Sequence, residues 1–104
     1  MTDTAETLPP MHAGEVLREE FLVPFELSAG KIAKAAGIPR TRIERIMREE
    51  VGISGDTAVR LGKVFGTSPQ FWMNLQTDYE ISAASLALGD DLALIARLPA
   101  VRAV

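Results

Sequence analysis

SAGKIAKAAGIPRTRIERIM, residues 28–47, decides the fold. It reads as two short helices joined by a tight turn. Ser28 is a helix N-cap, because its hydroxyl can accept a free backbone N–H of the first turn. Ile32, Ala33 and Ala36 follow at helical spacing. Gly37 stands where a helix C-terminus takes a left-handed residue, a conformation that costs glycine nothing. Pro39 fits the start of the next helix, where a missing N–H is harmless. In that second helix Ile43, Ile46 and Met47 make an inward stripe, and the opposite face centres on Thr41, Arg45 and Arg48, flanked by Arg42 and Glu44. Small residues at Ala33, Ala36 and Gly37 let the two helices approach closely. A helix, a short turn containing Gly, and a helix with a basic outer face predict a helix-turn-helix whose second helix enters a DNA major groove.

The surroundings fit that motif. A chain of 104 residues, about half of them hydrophobic, predicts one small domain that a dimer would help to stabilise. It has no cysteine, which excludes disulfides and thiolate metal sites and gives no sign of a secretory context. No apolar run approaches the ~20 residues of a membrane span. The start MTDTAETLPP lacks the basic opening and apolar run of a signal peptide, so the expected compartment is the cytoplasm. The formal net charge is −3, yet Lys31, Lys34, Arg40, Arg42, Arg45 and Arg48 crowd into 18 residues beside a single acid, Glu44. Basic charge gathered on one element is the electrostatic footprint of a nucleic-acid binder.

Outside the motif, residues 1–10 read as a disordered tail and 11–84 as the domain, with 85–104 a C-terminal extension. A first helix is expected over about 14–24, ended by Pro24, with Leu17, Phe21 and Leu22 in the core. Glu15, Glu19 and Glu20 sit at spacings that solvation explains better than acid/base chemistry. His12 is the single histidine, and no partners at usable spacing would complete a metal site. Residues 48–53 read as a loop. Ser54 or Asp56 caps a helix ending at Gly66, with Ala58, Leu61, Val64 and Phe65 inward. Ser68 and Pro69 start a helix over 69–84 that carries three of the six aromatics, Phe71, Trp72 and Tyr79. Trp72 is expected inside, and the surplus of aromatics points to a protein interface on this helix. The face bearing Asn74, Asp78 and Ile81 is expected to meet a second copy. Asp90 can cap a last short helix, 91–98. No phosphate loop, nucleophile–base set or repeat is present, so the expectation is an all-α binding protein with no catalysis, cofactor or metal.

Met11-His12-Ala13-Gly14-Glu15-Val16-Leu17, followed by Glu20-Phe21-Leu22, resembles the HxGExLxxEFL opening of the HigA/VapI antitoxins. These are Xre-type, λ-repressor-like helix-turn-helix proteins. The likeness continues through Gly37-Ile38-Pro39-Arg40-Thr41-Arg42-Ile43, Gly52-Ile53-Ser54 and Asp56-Thr57-Ala58-Val59-Arg60-Leu61. Its most specific part is Phe65-Gly66-Thr67-Ser68-Pro69-Gln70-Phe71-Trp72-Met73-Asn74-Leu75-Gln76, and it ends near Tyr79, so it spans about residues 11–82. The resemblance implies a five-helix bundle, a homodimer formed largely through the last conserved helix, and repression of the protein's own operon. It also implies neutralisation of a HigB/RelE-like mRNA-cleaving toxin. By position, Pro39, Arg40, Thr41 and Arg45 would face bases, and Ser28, Lys31, Lys34 and Arg48 phosphates; Arg42 joins the DNA-binding set.

One departure matters. The family usually follows its recognition helix with Asn-Gly and basic residues, where this chain has Arg48-Glu49-Glu50-Val51. The lost helix stop predicts a longer recognition helix. Two carboxylates near DNA would either weaken the operator complex or point away from it. The rival readings are a stand-alone Xre-type regulator without a toxin, a protein-binding module that has lost DNA binding and, furthest away, a helical enzyme.

Overall fold

The computed structural model describes residues 11–99. Among them the chain is all-α: five helices and a final 3₁₀ segment, with no strand. The expected tail, residues 1–10, lies outside the described residues, as does the end of the extension.

Helix α1 begins as an α-helix, Ala13–Val16, and continues without a break as a π-helix, Leu17–Leu22. Pro24 gives the physical reason. It has no N–H to donate four residues back, and its ring crowds the carbonyl there. The wider π turn, marked by Val23 N–H donating to the Arg18 carbonyl at 3.0 Å, accommodates it. The regular helix therefore stops at Leu22, two residues short of the expected end. His12 caps its start, its Nδ1 accepting from the Gly14 N–H at 2.9 Å. Leu17 and Leu22 are buried and Phe21 half-buried.

Helices α2, Ala29–Ala36, and α3, Arg40–Met47, form the helix-turn-helix. Ser28 caps α2 by accepting from the Lys31 N–H at 3.1 Å, and Gly37 ends it at φ +72°. Ile32, Ala33 and Ala36 meet Ile43 and Ile46 in the core. Helix α4, Gly55–Phe65, is capped by Ser54, and α5, Pro69–Leu88, by Ser68. Trp72 is fully buried as expected, among Phe21, Phe65 and Phe71, with its indole N–H donating to Thr67 Oγ1 at 2.8 Å.

The recognition helix does not run on. It stops at Met47, because Glu49 adopts the left-handed conformation at φ +62°. The Glu49 N–H then donates to the Ile46 carbonyl and the Glu50 N–H to the Arg45 carbonyl, both at 2.9 Å, which is a Schellman ending built on glutamate instead of glycine. Helix α5 is longer than the expected 69–84. No Gly or Pro interrupts Ala83–Leu88, whose Ala and Leu residues favour helix, until Gly89. The last expected helix is also different: Gly89–Leu94 is a 3₁₀ segment, and Leu94, Ile95 and Leu98 lie exposed with nothing to bury them as a helical stripe. The far part of α5 stands clear of the bundle, giving extents of 52 × 32 × 24 Å.

Candidate nucleic-acid interface

The core holds α3 by one side and presents the other. Ile43 and Ile46 are fully buried, while Arg40, Thr41, Arg42, Arg45 and Arg48 are exposed on the outer surface. Its position is set by backbone contact with α1. A Cβ on Gly14 would collide with the Ile46 carbonyl oxygen, so only glycine lets the helices come this close. Between α3 and the start of α4 lies an open cleft of about 440 Å³, lined by Pro39, Thr41, Arg42 and Arg45 on one wall and Val51, Gly52, Ser54 and Thr57 on the other.

Ser28, Lys31 and Lys34 flank this surface from α2, and all three are exposed. All nine residues expected to face DNA are exposed, and four of them, Pro39, Thr41, Arg42 and Arg45, line the cleft together. Among the described residues, Lys31, Lys34 and Arg42 make no ion pair. Three arginines of α3 and its C-cap do. Arg40 Nε donates to Glu44 at 2.9 Å, one helical turn on. Glu50 takes two arginines, Arg45 at 3.7 Å and Arg48 at 3.1 Å. The two carboxylates after the helix therefore separate: Glu50 sits with the outward arginines, and Glu49 turns to Arg18 of α1 at 3.5 Å.

Sequence reasoning missed the residues that hold this frame. Arg18 donates through Nη1 to the Met47 carbonyl at the end of α3. Its guanidinium is held above its ordinary pKa chiefly by the hydrogen bond to Glu19, with Glu49 adding to it against some desolvation. Arg60 of α4 donates to the Ala36 carbonyl at 2.9 Å and the Gly37 carbonyl at 3.2 Å, and Asp56 steadies it at 3.0 Å. Gln76, buried on α5, accepts from the Ile53 N–H at 2.8 Å and so ties the loop before α4 to α5. A lone Arg or Gln on a helix carries no sequence signal for such a role, because its partner is 23–31 residues away.

On α5 the aromatics are mostly absorbed: Trp72 is buried and Tyr79 packs edge-on against His12 at 4.7 Å. Asn74, Asp78 and Ile81 are exposed, with Asn74 accepting from Gln70 at 2.8 Å. Beyond them Leu86, Leu88 and Leu92 add an aliphatic, not aromatic, surface.

Residues 17–72 match the helix-turn-helix family. PA4674 of Pseudomonas aeruginosa, solved in complex with its 18-bp operator DNA, superposes with a TM-score of 0.82 at 44% identity, covering 88% of this chain and 97% of that one. P. aeruginosa antitoxin HigA, solved with the higBA promoter, gives 0.81 at 42% identity, covering 88% and 99%. The chain belongs to the HigA-type helix-turn-helix family. Virulence-associated protein I of Dichelobacter nodosus is a further relative, 48% identical over 77 residues that cover 74% of this chain and 71% of that protein. The fold and family expected from the residues are therefore established. Relatives of this kind are regulators and antitoxins, which agrees with the expectation of no catalysis. Among the described residues no helix is long and apolar enough to cross a membrane.

Proposed function

We propose that this chain is an antitoxin that binds operator DNA as a homodimer, represses its own operon and neutralises a RelE-like toxin. The observation that carries the DNA part is the outer face of α3, with Arg40, Thr41, Arg42, Arg45 and Arg48 exposed on a helix fixed by core contacts on its other side. The relatives solved on operator and promoter DNA support it. Each copy would lay α3 in a major groove, with half-sites roughly 34–36 Å apart. Pro39, Arg40, Thr41 and Arg45 are assigned to bases, and Ser28, Lys31, Lys34 and Arg48 to phosphates, with Arg42 at the edge of the cleft. The exposed face of α5 with Asn74, Asp78 and Ile81 is assigned to the second copy.

The test separates reading from holding. An arginine in the major groove pairs with guanine O6 and N7, and Arg45→Ala should cost ~1–3 kcal/mol on the operator and relax one position per half-site. Lys31→Ala should weaken operator and scrambled duplex alike and lower the log–log salt slope by ~1 for each phosphate left without its cation. Equal losses on both duplexes for Arg45→Ala would place that residue on phosphate. The upstream DNA of the gene supplies the operator. Co-purification with the product of the adjacent reading frame tests the toxin, and a protein that never forms a complex with it is a regulator alone. Sedimentation at micromolar concentration tests the dimer, and a clean monomer refutes it.

A further inference from the structure

We propose that Glu44 and Glu50 are positioning residues that aim Arg40 and Arg45 at bases, a role that rests on the operator-binding reading above. Arg40, Arg45 and Arg48 each come nearest a carboxylate through Nε, the inner edge of the guanidinium, as a hydrogen bond for Arg40 and as looser ion pairs for Arg48 at 3.1 Å and Arg45 at 3.7 Å. Among the described residues no hydrogen bond engages their Nη1 or Nη2. The end of the fork that pairs with guanine is therefore left free, while its inner edge is hydrogen-bonded in Arg40 and drawn by charge in Arg45.

Helix stability does not account for the order of the pair on α3. A cation at the start of a helix and an acid one turn later oppose the helix dipole, and the reverse order is the favourable one. Arg40 opens α3 and Glu44 follows it. The N-terminal residues of a recognition helix are the ones that reach base edges. A carboxylate fixed behind the guanidinium limits the orientations that must be given up on binding, and its charge disfavours any phosphate that would draw the arginine sideways. Both effects raise discrimination between sequences. Neither raises affinity for DNA in general.

The experiment titrates Glu44→Ala, Glu44→Gln and Glu50→Ala against operator and scrambled duplex, and against operators with each base pair changed in turn. Circular dichroism melts accompany each variant. Glu44→Ala should lower the operator-to-scrambled ratio about tenfold, with the loss on operator and none on scrambled DNA. It should flatten preference at the same base pair that Arg40→Ala flattens. Glu44→Gln keeps a side-chain oxygen for Arg40 Nε and should recover most of the ratio. Glu50→Ala should act likewise at the position of Arg45, with Arg48, assigned to phosphate, adding no base preference of its own. The proposal is overturned if the alanine variants tighten both duplexes by one factor with the ratio unchanged, which is plain charge repulsion. It is also overturned if base preference is lost at positions unrelated to the tethered arginines. A wild-type protein that treats both duplexes alike would instead overturn the operator reading itself.

Discussion

Helices α2 and α3 end in the same way with different residues. Each passes into a left-handed residue, Gly37 at φ +72° and Glu49 at φ +62°. Each offers its last carbonyls to an arginine from another helix, Arg60 for α2 and Arg18 for α3. Each of those arginines is steadied by a carboxylate on its own helix, Asp56 and Glu19. The difference is that the first ending is written locally. Glycine takes the left-handed region freely, so α2 can stop there without strain. For glutamate the same conformation costs roughly 1–2 kcal/mol, so α3 stops because its surroundings hold it.

On that contrast, Arg18→Ala should have the largest effect. It removes a charged donor from the Met47 carbonyl and the partner of Glu49, and the expected loss is about 1.5–3 kcal/mol in urea unfolding. A loss near zero would show that α3 ends without help from α1. Gly37→Ala comes next, at about 1–2 kcal/mol, since alanine must enter the left-handed region. The Cβ would also come within 3.1 Å of Arg60 Nη1. A neutral result would mean that the turn can shift its register. Glu49→Gly is the smallest change and has the opposite sign. Relief of the left-handed glutamate outweighs the added freedom of the unfolded chain and the loss of the exposed pair with Arg18 by at most about 0.5 kcal/mol, so the midpoint should rise slightly. The double variant Arg18→Ala with Glu49→Gly sharpens the comparison. The two sites are in contact, so the effects should couple, with Arg18→Ala less damaging once Gly holds the turn.

The same contrast divides the features that the residues announce from those that they conceal. Ser28, Ser54 and Ser68 all cap helices, and Gly37 and Gly66 end them, because each acts within four residues of itself. Ile43, Ile46, Leu61 and Trp72 follow the helical period and are buried. The outer face of α3 is legible for the same reason, as the complement of that stripe. What escapes depends on distant partners. Nothing near Glu49 announces a left-handed turn, since Arg18 supplies part of the reason from 31 residues away. The π turn in α1 is not written in the helical period, because Pro24 announces only that the helix ends and not how its last turn widens. The ion pairs of Glu44 and Glu50 are legible only as charge, and their attachment at Nε is a matter of geometry.

The reach of α5 beyond the bundle has a hydrodynamic consequence. A folded chain of about 100 residues ordinarily has a radius of gyration near 13 Å, whereas this one measures 17.0 Å. A single copy will travel through a sizing column ahead of a globular protein of equal mass. Elution volume alone would therefore report a pair where there is one molecule. Only a measurement that weighs the particle, by light scattering or sedimentation equilibrium, distinguishes a long monomer from a true couple.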